Sequence, residues 1–110
     1  KNPVISAEDF ERVRAEIERE KNKGGCWGEW SWVENNGTVK VATACLMERC
    51  GFPRGYRDST VGISPRHSLA IINLGGAKAA DIAALVEKIQ QAVYDKFNVH
   101  LELEAEYVGF

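Results

Sequence analysis

Residues 79–107 read A-A-D-I-A-A-L-V-E-K-I-Q-Q-A-V-Y-D-K-F-N-V-H-L-E-L-E-A-E-Y, and two periods meet within them. Ile82, Leu85, Val86, Ile89, Val93 and Phe97 recur at i, i+3, i+4, i+7, the spacing that lines one face of a helix. The pattern predicts a helix over about 79–96. Asn98 is suited to end it, since Asn tolerates the left-handed conformation that glycine usually fills. The period then changes to two. Val99, Leu101, Leu103, Ala105 and Tyr107 fall on one side, with His100, Glu102, Glu104 and Glu106 on the other, which predicts a strand with a core face and a polar face.

Working outward, Ser68–Asn73 (S-L-A-I-I-N) is apolar and bounded by Gly75-Gly76, as expected of a buried strand. The strand at the C-terminus is a candidate to pair with it. Ala44, Leu46, Met47 and Cys50 form an apolar stripe suited to a short buried helix, with Gly51 placed to stop it and a loop over 51–55. Asn36-Gly37 favours a tight turn before a short strand, Val39–Val41. Near the start, Ser6 with Asp9 three residues on resembles a capping box, followed by Phe10, Val13 and Ile17 at helical spacing; a helix over about 7–21 is expected. Trp27, Trp30 and Trp32 cluster between these elements, and tryptophans in a small chain more often fill core or cover an edge than form a stacking surface. Together these readings give an α+β fold: a small, mostly antiparallel sheet with about three helices packed largely on one face.

The 110 residues suit one domain, 1–110, and at 45% hydrophobic and 27% charged they suffice for a modest core without staples. A net charge of −2 with no Lys/Arg stripe argues against nucleic acid as a partner, while leaving a small phosphorylated ligand open. No apolar run approaches the ~20 residues of a membrane span, so no membrane partner is expected. Cys26, Cys45 and Cys50 are odd in number and lack zinc-ligand spacing, so free thiols in a reducing cytoplasm are expected, with no metal.

Three places invite chemistry. Glu102, Glu104 and Glu106 share one strand face; they are either a solvated edge or, by raising one another's pKa, a source of a general acid. Ser64-Pro65-Arg66-His67 lacks a nucleophile elbow or a third partner, so a hydrolase is disfavoured; Arg66 and His67 are either strand-entrance surface or donors to a phosphate or uridine. Gly75-Gly76 precede the long helix, but no G-x-G-x-x-G or Walker pattern accompanies them, and turn geometry alone explains them.

Four segments, in order and at matching spacing, resemble the C-terminal domain of the UDP-N-acetylenolpyruvoylglucosamine reductase family. Lys1-Asn2-Pro3 resembles the end of the family's Gly-Ser-Phe-Phe-Lys-Asn-Pro motif. Residues 39–51 resemble its helix before a glycine-rich loop, and Ser64–Asn73 its Ser-x-x-His-x-x-x-x-x-Asn strand. Residues 77–109 resemble its last helix and its Leu-Glu-Pro-Glu-Val-x-x-x-Gly strand. The stretch 24–36 matches poorly.

The resemblance implies an FAD-dependent oxidoreductase of peptidoglycan precursor synthesis in the bacterial cytoplasm, which uses NADPH to reduce UDP-N-acetylglucosamine enolpyruvate to UDP-N-acetylmuramate. It implies that Glu104 is catalytic, assisting a serine that protonates the enolate, that Asn2 contacts the substrate diphosphate, and that His67 is a further substrate contact. By the same matching, the serine lies three residues before Lys1, and the flavin site lies in N-terminal FAD-binding domains. This chain alone is then expected to bind neither FAD nor NADPH and to be inactive. Two positions depart from the pattern: Leu103 replaces the proline between the glutamates, and Ala105 the valine after them. The alternative is a free-standing nucleotide-sugar-binding or structural α+β module without catalysis.

Overall fold

The structure, a computed structural model, describes residues 2–20, 26, 29–65 and 70–105. Among them are three helices and seven short strands. The longest element is the helix read first. α3 (Ala79–Phe97) buries Ile82, Leu85, Ile89, Val93 and Phe97 along one face. Each such side chain contributes about 1.5–3 kcal/mol of hydrophobic burial, which outweighs the few tenths that separate helix propensities. Asn98 ends the helix at φ +57°, its N–H donating to the Tyr94 carbonyl at 2.8 Å. At the other end the backbone N–H of Lys78 donates to the Asp81 carboxylate at 2.9 Å.

α1 (Ala7–Arg19) begins as its sequence indicates, with the Ser6 hydroxyl accepting the Asp9 N–H at 3.1 Å. Its outer face carries Arg–carboxylate pairs one turn apart. The hydrogen bond that Arg14 donates to Glu11, then the charges of Glu11 and Glu18, push the Arg14 guanidinium pKa up, and Glu16 does the same for Arg19. Such exposed pairs add little to stability. The inner face buries Val13 and Ile17. α2 (Thr43–Arg49) buries Cys45, Leu46 and Met47, and Gly51 follows it at φ +89°. Arg49 is also buried, at 8% exposure, and donates to the carbonyls of Ile17 and Glu20 at 2.9 Å each. Two carbonyls at the end of α1 are therefore satisfied by a side chain of α2.

The strands divide between two sheets where a single one was expected. The first has the order β1 (Val4–Ile5), β3 (Val39–Val41), β2 (Ser31–Val33), all antiparallel. β2 and β3 are joined through the Asn36-Gly37 turn, with Gly37 at φ +84°. The second has the order β4 (Arg57–Asp58), β5 (Val61–Ile63), β6 (Ala70–Asn73), β7 (Glu104–Ala105). Its first two pairings are antiparallel; β6 and β7 are parallel, with Ala70 opposite Glu104 and Ile71 opposite Ala105. The expected partnership of the C-terminal strand with the one ending at Asn73 is thus present. It is parallel because α3 carries the chain back to the same edge, as a parallel pair requires. Asn73 shapes the exit from β6: its Oδ1 accepts the N–H groups of Gly75 (2.8 Å) and Ala77 (3.2 Å). Gly75 and Gly76 both take positive φ there, so they serve a turn.

The terminal strand is shorter than its alternation suggests. Val99 and Leu101 are buried as expected, but the ladder is confined to 104–105. Before it, the segment is held by α3, whose Gln90 amide donates to the Leu101 carbonyl at 2.9 Å. The tryptophan cluster divides. Trp30 packs against Phe10 with ring centroids 5.6 Å apart, Trp32 remains 39% exposed, and Trp27 lies outside the described residues. The cysteine expectation is overturned for one pair: Cys26 and Cys45 form a disulfide, and Cys50 stands outside it. Sequence spacing weighs only local pairs, whereas here the fold brings together residues 19 apart.

Gly62, in the middle of β5, has no room for a side chain. A Cβ there would lie 2.5 Å from the Tyr56 carbonyl oxygen and 3.2 Å from Leu74 Cδ1. The closer contact is backbone, which cannot swing aside. Gly62→Ala is therefore expected to destabilise the chain by about 1–3 kcal/mol. Thermal denaturation followed by circular dichroism checks this, and an unchanged midpoint would show that the β4–β5 hairpin yields freely.

Candidate functional site

The two ends of the described chain meet. Asn2, Pro3 and the start of β1 form one wall of an open groove of about 490 Å³, and Asn98, His100 and Glu102 form the other. The first wall is fixed by backbone pairing: Val41 N–H donates to the Pro3 carbonyl at 2.9 Å, and Val4 lies opposite Lys40 in the sheet. The second wall is fixed by the left-handed turn at Asn98 and by the inward anchors Val99 and Leu101, which leave His100 and Glu102 on the outside. His100 stacks on Tyr94 with ring centroids 4.5 Å apart.

Asn2 has a defined orientation. Its Oδ1 accepts the backbone N–H of Thr43 at 3.1 Å, at the start of α2. With the oxygen turned toward α2, the amide group keeps its two hydrogens as donors, which suit an anionic or carbonyl-bearing ligand. Asp9 and Ser6 also line the groove. The walls thus combine amide and imidazole donors with carboxylates, a set matched to a polar ligand that carries both anionic groups and hydroxyls.

Of the three residues singled out in the sequence, Asn2 lines this groove. Glu104 lies in β7, two residues beyond the groove-lining Glu102 and paired with Ala70 at the sheet edge. His67 lies outside the described residues. The structure therefore brings Asn2 to the segment that runs into Glu104. His100 was visible in the sequence only as one polar position among four. Its place in the groove follows from the Asn98 turn, a local signal that gives the direction of the chain but not what it faces. Among the described residues, no group of three or more His, Cys, Asp or Glu is placed to hold a metal, and no helix is long and apolar enough to cross a membrane.

Residues 1–108 match the sequence profile of the UDP-N-acetylenolpyruvoylglucosamine reductase C-terminal domain. The reductase of that name from Thermobifida fusca is 36% identical over 108 residues, which are 98% of this chain and 30% of the relative. Its counterpart from Tropheryma whipplei is 37% identical over 110 residues, again 98% and 30%. That from Pseudomonas putida is 35% identical over 104 residues, 94% of this chain and 28% of the relative. The chain spans about 30% of the length of the curated relatives it matches.

Proposed function

This chain belongs to the UDP-N-acetylenolpyruvoylglucosamine reductase C-terminal domain family, and on that premise we propose that it forms the substrate side of such a reductase. The reaction is the NADPH-dependent reduction of UDP-N-acetylglucosamine enolpyruvate to UDP-N-acetylmuramate, a step of peptidoglycan precursor synthesis in the bacterial cytoplasm. The observation that supports this reading best is the groove in which Asn2 faces the segment leading to Glu104.

In this reading residues 1–110 act as one domain. FAD, if held by domains outside this chain, would supply the hydride chemistry at the enolpyruvyl double bond, with NADPH as reductant. The residues of this chain do the rest. Asn2, oriented by Thr43, donates through its amide to a diphosphate oxygen; His67 supplies a second polar contact. Glu104 assists protonation of the enolate carbon. The backbone pairing of β7 with β6 fixes the strand that carries this carboxyl, and a proton donor needs such a fixed origin.

The test is steady-state oxidation of NADPH by the full-length protein. The reading predicts that oxidation is stimulated by UDP-N-acetylglucosamine enolpyruvate, with one NADPH consumed per UDP-N-acetylmuramate formed. NADPH oxidation indifferent to that substrate would refute it.

A further inference from the structure

Cys26 and Cys45 are bridged across 19 positions of sequence, with Cα atoms 4.5 Å apart. The two ends of the bridge differ. Cys45 lies in α2 at 3% exposure, inside the core. Cys26 is half-buried against that core and takes φ +61°, a left-handed backbone that residues with a Cβ adopt only when something holds them there. Cys50, at the C-cap of the same helix, takes no part. The neighbourhood of the bridge is also the neighbourhood of the groove. Ala42, which precedes α2, donates its N–H to the Trp30 carbonyl at 2.8 Å, and Thr43 donates its own to Asn2 at 3.1 Å. One helix of seven residues is thereby tied to the bridged loop on one side and to Asn2 on the other.

We propose that the Cys26–Cys45 bridge is a reversible redox staple that sets how firmly α2 holds Asn2, and hence how tightly the groove binds an anionic nucleotide-sugar. This rests on the substrate reading of the groove given above. Opening the staple requires a dithiol reductant. Its thiolate attacks Sγ of Cys26, the less buried of the two residues, and the S–S bond breaks; Cys45 leaves as a thiolate and takes up a proton. The second thiol of the reductant then displaces Cys26, so the reductant departs as a disulfide and the chain has gained two electrons and two protons. A disulfide oxidant runs the sequence backwards. In the reduced chain the loop is held by the Trp30–Ala42 hydrogen bond and the Phe10–Trp30 contact, and α2 loses a covalent anchor buried in the core.

The experiment uses the full-length protein equilibrated with oxidised glutathione or with dithiothreitol, each sample alkylated in denaturant and mapped by mass spectrometry. The oxidised sample is expected to yield a linked peptide pair containing Cys26 and Cys45, with Cys50 alkylated in both samples. KM for UDP-N-acetylglucosamine enolpyruvate is expected to be about five- to tenfold lower in the bridged state, and this difference to vanish in Cys26→Ser. Absence of the linked pair after oxidation overturns the proposal, as does an equal KM in the two states of the unaltered protein. If the linked pair is present but no substrate-dependent NADPH oxidation occurs in either state, the substrate reading fails, and with it the control of the groove; the redox chemistry of the pair stands on the peptide map.

Discussion

Glu104→Gln in the full-length protein is expected to lower kcat of the proposed reduction by about 10²–10⁴-fold, the range over which positioned acid–base groups contribute, while KM changes far less. Glutamine keeps the shape of the side chain and loses the proton. The fold should not register the change: Glu104 lies in β7, which pairs with β6 on one side and ends the order of its sheet. Circular dichroism and a thermal midpoint matching the unaltered protein would accompany the kinetic loss. Glu102→Gln, on the groove wall, serves as the comparison. Equal losses at both positions would assign the effect to the summed charge of the strand and not to a placed acid. A shared polar face cannot rank the glutamates against one another, and only a kinetic difference does so.

The second large effect is on stability. Arg49→Ala removes the donor that satisfies the Ile17 and Glu20 carbonyls from a position only 8% exposed. Hydrogen bonds to a charged partner are worth about 1.5–3 kcal/mol each, and losing both also leaves buried acceptors without this donor. A destabilisation of about 3–5 kcal/mol is expected, with the thermal midpoint falling by roughly 10–20 °C. Arg49→Lys should recover part of the loss, because an ammonium is a compact charge and not a fork that spans two carbonyls. A stability for Arg49→Ala within about 1 kcal/mol of the unaltered chain would mean that water replaces the guanidinium at the end of α1.

These two residues also mark where sequence stopped being informative. The helices were legible because a 3.6-residue period is local: Val13 and Ile17 in α1, and the stripe from Ile82 to Phe97 in α3, carry their own evidence. The caps at Ser6 and Asn98 were legible for the same reason. β1 and β4 were not, since two residues set no period. β5 was missed because Val61, Gly62 and Ile63 are all buried and show no alternation. The C-terminal alternation was read correctly for Val99 and Leu101, but pairing extends only over 104–105 because α3, not a neighbouring strand, holds what comes before. In the sequence Arg49 is one charge beside the apolar stripe of Ala44, Leu46, Met47 and Cys50, and nothing nearby indicates that it reaches the end of α1. The Cys26–Cys45 pair depends on the same tertiary approach.

The candidate site was legible in a different way. Asn2 and Glu104 stand 102 positions apart, and no spacing argument joins them. They were connected by resemblance to a family, to which the match over residues 1–108 assigns the chain. What the structure adds is the groove between Asn2 and the segment Asn98–Glu102, and the hydrogen bond from Thr43 that fixes which end of the Asn2 amide is left to meet a ligand.

Pre-steady-state kinetics of the full-length Glu104→Gln variant tests most directly whether this domain acts on the substrate. The NADPH-dependent half-reaction and the substrate-dependent half-reaction are observed separately under anaerobic conditions. The substrate-dependent half should slow by at least about 10²-fold, with the NADPH-dependent half unchanged. If the two halves slow equally, or neither slows, Glu104 has no place in the chemistry of the enolpyruvyl group.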